Sequence, residues 1–104
     1  MAYQSRILTF PVSGVTGTLT ATTASSGITL GQNAVFAINA TQDIEIVCYP
    51  SGSVVVPSAT VGFRIPANAT YTIDMGTSCD TFAIYNAGSV TATYSYQLLS
   101  IAAN

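Results

Sequence analysis

The sequence predicts an all-β chain, an antiparallel two-sheet sandwich of jelly-roll type, and three observations predict it. The first is alternation. Val90, Ala92, Tyr94, Tyr96 and Leu98 take turns with Thr91, Thr93, Ser95 and Gln97, a period of two that sets apolar groups on one face of a strand and hydroxyls and amides on the other. The second is punctuation. Gly, Pro and Asn-rich turns divide the chain into roughly eight to ten short runs, the spacing of a sandwich or jelly roll, and no segment has a helical period. The third is repetition. Residues 32–39, QNAVFAIN, match residues 67–74, ANATYTID, at an offset of 35, and residues 46–54 match residues 82–90 at an offset of 36. A three-strand unit used twice, with one residue added between its parts, accounts for both matches.

Taken in order, Tyr3 to Phe10 is the first strand, or an arm reaching a neighbouring subunit. Pro11 ends it because proline donates nothing to a ladder. Val12 to Gly17 is a loop with two glycines, Thr18 to Thr22 a strand with a threonine face, and Ala24 to Gly27 a turn. Ile28 to Leu30 is short and stops at Gly31. Ala34 to Asn39 follows, then a turn at Ala40-Thr41-Gln42. Asp43 to Tyr49 places Ile44, Ile46 and Cys48 inward and Asp43, Glu45 and Val47 outward. Pro50-Ser51-Gly52 turns the chain, and Ser53 to Val56 returns as a strand until Pro57-Ser58 breaks it. Ala59 to Ile65 has Val61, Phe63 and Ile65 inward and Arg64 outward. Pro66-Ala67-Asn68 leads into three consecutive strands ending at Leu98, with Cys79 opening the middle one. The expected organisation is a single domain over residues 1–104, with an N-terminal arm (1–11) and a short C-terminal tail (99–104).

Composition excludes more than it proposes. Charged residues are 6% of the chain, against about 25% in ordinary soluble domains. The two arginines, Arg6 and Arg64, and four acids, Asp43, Glu45, Asp74 and Asp80, give a net charge of −2, with no basic patch for nucleic acid. Apolar runs fall well short of the ~20 residues of a membrane-spanning helix, and no signal peptide is read at the start. The surface must therefore be built from neutral polar and small residues, led by 15 Thr and 11 Ser. Sheet edges are normally guarded by charge or proline. A chain so poor in both is expected to cover its edges with other chains, as a homo-oligomer.

Catalytic chemistry finds little to work with. There is no histidine and no lysine, so the usual bases of nucleophilic triads are missing. The remaining acid/base candidates, Asp43 with Glu45 and Asp74 with Asp80, read as solvated acids or as partners of Arg6 and Arg64. No catalytic, metal or cofactor site is expected, and no enzyme. Cys48 reads as a small core residue, and it and Cys79 are expected as thiols in a protein made in the cytosol. Asn39-Ala40-Thr41 and Asn68-Ala69-Thr70 match the N-glycosylation pattern, which a chain this rich in Thr and Ser produces readily. The hydroxyl rows Thr18, Thr20, Thr22 and Thr91, Thr93, Ser95 read as the polar face of a sheet or a contact surface. Tyr71, Tyr94 and Tyr96 share the phase of Ile73 and Leu98 and belong to the core.

The runs Gly62-Phe63-Arg64-Ile65-Pro66-Ala67-Asn68-Ala69-Thr70-Tyr71 and Phe82-Ala83-Ile84-Tyr85-Asn86-Ala87-Gly88-Ser89-Val90-Thr91-Ala92-Thr93-Tyr94 resemble small structural proteins of tailed bacteriophages, above all capsid decoration (cement) proteins. The resemblance covers less than half of the chain and has no defined site motif. It implies a β-sandwich that binds the major capsid lattice from outside, often as a trimer, and stiffens it. The protein would be made in the host cytoplasm and end on the capsid exterior. The expected contact residues are Tyr3, Arg6, Leu8 and Phe10 in the arm and Leu99 and Ile101 in the tail. A fibre, tail or carbohydrate-binding receptor module is the alternative.

Overall fold

The computed structural model describes residues 15–101. Eight strands run β1 (Val15–Leu19), β2 (Ile28–Thr29), β3 (Ala34–Ala40), β4 (Ile44–Tyr49), β5 (Phe63–Ile65), β6 (Tyr71–Asp74), β7 (Thr81–Asn86) and β8 (Ala92–Ile101). They form two antiparallel four-stranded sheets, ordered β1-β8-β3-β6 and β2-β7-β4-β5, and no helix occurs among the described residues. The fold is a two-sheet sandwich. Four of its pairings, β1–β8, β2–β7, β3–β6 and β4–β5, are those of one long hairpin whose tip is the β4–β5 connection. Rolling that hairpin brings β8 against β3 and β7 against β4, which gives the eight-stranded jelly roll.

The core lies between the sheets and is assembled by the period of two. Ala34, Phe36, Ile38 and Ala40 line up along β3, Ile44 and Ile46 on β4, and Phe82 and Ile84 on β7, all buried. Tyr71, Ile73, Tyr94, Tyr96 and Leu98 pack against them, on the face that alternation predicts. Phe36 of one sheet stacks on Phe82 of the other with ring centroids 4.4 Å apart, and Tyr96 meets Phe82 edge-on at 5.2 Å. This aromatic group joins the layers.

The repetition is written into the geometry. Asn33 and Asn68, equivalent at the offset of 35, both sit in the left-handed region at φ 63°, which asparagine tolerates better than most residues. Each lies in a turn closed by the same hydrogen bond, from the Ala34 amide to the Gly31 carbonyl and from the Ala69 amide to the Pro66 carbonyl, 3.3 Å in both. In β3–β6, Ala37 faces its own equivalent Thr72, and in β4–β7, Val47 faces its own equivalent Ala83. Each of these strand pairs therefore has a local two-fold at that point. The correspondence covers two strands of each unit. The third does not follow, because β5 is three residues long in one sheet and β8 is ten in the other.

Several boundaries differ from the sequence reading, each for a packing reason. The first strand of that reading, Tyr3 to Phe10, lies outside the described residues. Val15 to Gly17, read as loop, is strand. Gly17 pairs with Tyr94, and a Cβ there would stand 2.5 Å from the Tyr94 hydroxyl, so only glycine leaves room for the ring. Thr20 to Thr22 is a turn instead of strand, and β7 opens at Thr81, two residues beyond Cys79. At the far end β8 continues through Leu99 to Ile101, where the sequence reading begins a tail. Val35 pairs with Ser100 and Phe36 with Leu98, so Leu99 is the extra residue of a β-bulge. Without that insertion Ser100 would face Ala34, and with it Ile101 takes that place. The largest difference lies at the hairpin tip. Ser53 to Val56 forms no strand, and of Ala59 to Ile65 only Phe63–Ile65 is one. Ile65 is fully buried as predicted, but Val61 and Phe63 are 41% and 58% exposed, because β5 is an edge strand and inward phase there does not ensure cover.

Candidate interaction surfaces

The ionisable groups have been drawn into structural roles. Arg64 and Glu45 are cross-strand partners on the outer face of their sheet. The Arg64 Nε donates to the Glu45 carboxylate, and its Nη1 lies 3.6 Å from Asp43. Asp43 also accepts from the Ala67 amide at 2.8 Å. The bond to Glu45 is the main reason the guanidinium holds its proton more firmly than usual, with burial opposing and both carboxylate charges adding. Glu45, read from the sequence as an outward acid, is 5% exposed. A buried carboxylate without its cation is costly, so Arg64→Ala is expected to lower the urea midpoint. The pair Arg64→Ala with Glu45→Gln should recover part of that loss, and strict additivity of the two would contradict the coupling. Asp74 accepts from the Gly76 amide in the turn that follows it, and Asp80 accepts from the hydroxyl of its neighbour Thr81. Among the described residues no group of three or more His, Cys, Asp and Glu is placed to hold a metal ion.

Cys48 packs against the core as the sequence predicts, and Cys79 packs there with it. Both are free thiols. Burial, and secondarily the charge of Cys79, pushes the Cys48 thiol up from 9.0 to about 11. The thiolate is the reactive form, so at pH 8 Cys48 should alkylate about 100-fold more slowly than a thiol at the ordinary value. Mass-resolved labelling with iodoacetamide measures this, and equal rates would refute it.

Two surfaces remain. The first is the outer face of the β1-β8-β3-β6 sheet. Thr18 faces Thr93 and Thr16 faces Ser95 across β1–β8, as the hydroxyl rows of the sequence suggest, while Thr20 and Thr22 lie beyond the strand. Asn39 links β3 to β8 and to the residue before β6, accepting from the Ser95 hydroxyl at 3.1 Å and donating to Thr70 at 3.3 Å. Ala37, between Gln97 and Thr72 in register, is too short to fill its place. The result is a shallow hollow lined by Ala37, Asn39, Thr70, Ser95, Tyr96 and Gln97, with no charged group in its wall.

The second is the β4–β5 connection, residues 50–62. A loop of this length in a compact domain is unusual and commonly functional. Among the described residues its backbone hydrogen bonds close on itself, from Ser53 to Pro50 and between Ser58 and Val61 in both directions. Pro57 is its buried anchor. Outside that anchor Val54, Val55 and Val56 are 68%, 40% and 66% exposed, and Phe63 beside the loop touches Tyr71 edge-on at 6.1 Å. Five of the seven large apolar side chains exposed among the described residues belong to this segment and its edge strand.

Of the contact residues expected from the sequence, Tyr3, Arg6, Leu8 and Phe10 lie outside the described residues. Leu99 and Ile101 belong to β8, an inner strand between β1 and β3. The sequence reading missed the valine loop, although a signal was present: three successive valines give no alternation, so no single sheet face can bury all of them.

No known protein family matches the chain, and no curated protein does. Among solved structures it is similar to a de novo designed double-stranded β-helix determined by solution NMR. The two share 8% identity at a TM-score of 0.59, over 84% of this chain and 99% of the designed one. A likeness at that identity concerns the fold alone.

Proposed function

We propose that this chain is a structural protein of a phage particle, a decoration protein that binds the major capsid lattice from outside and stiffens it. The observation that carries the reading is the combination of a nearly uncharged jelly roll with an exposed valine loop and edge phenylalanine. Such a surface suits contact with other proteins far better than contact with nucleic acid or catalysis. Binding would come from apolar area withdrawn from water, at ~25 cal/mol per Å² less the cost of association. Many copies on one shell would add up individually weak contacts.

The test is co-sedimentation of purified protein with empty capsids. Saturable binding that raises the temperature at which the shell opens supports the reading, and protein that stays in the supernatant at every ratio defeats it. A carbohydrate-binding receptor module is the second reading, favoured by the neutral amide and hydroxyl hollow at Ala37. Glycan binding lost on Gln97→Ala, together with indifference to capsids, would replace the first reading with the second.

A further inference from the structure

The valine loop contains a run with the sequence of a strand and no partner among the described residues. Ser53 to Val56 has the composition of a strand, with three β-branched residues in a row, and the sequence predicts one there. In the folded chain, among the described residues, neither a strand pairing nor any backbone hydrogen bond involves Val54 to Pro57. Among the described residues their peptide groups have no protein partner, and the side chains of Val54, Val55 and Val56 are exposed while Pro57 is buried. An extended run of this kind is a template for pairing with another strand.

We infer that the missing partner is the same segment of a second copy, paired antiparallel across a two-fold axis at Val55. Three observations select a second copy. The first is fit. Under that symmetry Val54 faces the other copy's Val56, and Val55 faces itself, so the two most exposed valines meet on one face. The second is charge. Residues 50–62 contain no charged side chain, so self-pairing opposes no like charges. The neighbouring edge strand β5 differs, because the same operation there would set Arg64 against Arg64, which is unfavourable. The third is area. The loop valines with Val61 and Phe63 offer on the order of 300 Å² of apolar surface per copy. That is less than half of the ~800 Å² per partner in a standard stable complex. The contact is therefore a weak dimer that forms with concentration and stops at two, since an isologous two-fold contact occupies the same patch on both copies. The inference does not depend on the proposed role in a capsid.

Sedimentation velocity of the full chain from low micromolar to millimolar concentration tests it. The weight-average mass should rise from one copy towards two and level off. Val55→Pro, which removes the central N–H, and Val54→Lys combined with Val56→Lys, which sets like charges opposite each other, should each weaken association at least about tenfold. Thermal melts should stay near wild type, because among the described residues Val54 to Val56 hold no backbone hydrogen bond of the sandwich. A single copy at every concentration, growth beyond two, or a dimer untouched by both variants overturns the inference. So does association of these residues with capsids while the free chain stays monomeric.

Discussion

Phe82→Ala is expected to lower the stability of the domain by about 3–5 kcal/mol, the usual range for removing a fully buried aromatic ring. A domain of this kind has roughly 5–15 kcal/mol in total, so the variant should be marginal near body temperature. The size follows from position. Phe82 is fully buried on β7, stacks on Phe36 of the opposite sheet and receives the edge of Tyr96. No other described aromatic has two such ring partners. Truncation would open a cavity between two sheets that are each held by their own ladders and cannot simply collapse. Urea unfolding of Phe82→Ala, Phe36→Ala and the double variant measures the effect. The stacked pair should show a coupling of about 0.5–1.5 kcal/mol. A loss below about 1 kcal/mol for Phe82→Ala would contradict this account of the core.

Asn86→Ala is expected to cost a comparable amount, about 2–4 kcal/mol, by removing three hydrogen bonds made by a fully buried side chain. Asn86 is fully buried at the end of β7. Its amide donates to the Leu19 carbonyl at 2.9 Å and to the Val90 carbonyl at 2.8 Å, and its carbonyl accepts from the Gly88 amide at 2.9 Å. One side chain thus ties the end of β1, the β7–β8 turn and the core together. Alanine removes all three of these bonds. Asn86→Asp should fare no better, since a carboxylate would face two carbonyl oxygens. Hydrogen exchange separates this from a general loss of stability. The Gly88 amide should exchange faster than amides in the centre of β4 at matched overall stability, and equal protection would show that the asparagine is not the clasp.

The parts of this fold legible in the sequence are those where alternation and burial coincide. β8 alternates over Ala92 to Leu98 and β4 over Ile44 to Cys48, and in both the inward set is the one that packs on the core. The turns at Asn33 and Asn68 were visible as a repeat before their shared backbone conformation was known. What stayed hidden depends on neighbours. Gly17 looks like a loop residue until Tyr94 lies across it. Leu99 looks like the start of a tail until β3 on the other side demands an extra residue. Val61 and Phe63 have the right phase, but among the described residues no strand lies beyond β5 to cover them. The candidate interaction surface was illegible for the same reason. The run from Ser53 to Val56 has every local property of a strand, and only the missing neighbour, which composition does not record, leaves it bare.

The rolled hairpin also governs the order in which the molecule can be completed. Among the described residues β1 is paired only with β8, and the residues that meet, Val15 with Tyr96 and Leu19 with Ala92, are separated by most of the described chain. Closing so long a loop is entropically expensive, and folds dominated by such distant pairings form slowly, in milliseconds to seconds. On a translating ribosome the first strand must wait for the last, which then slots into the middle of its sheet instead of being added at the rim. Removing the final ten described residues would therefore not trim an edge. It would leave β1 without a partner and expose one whole flank of β3 in a single step.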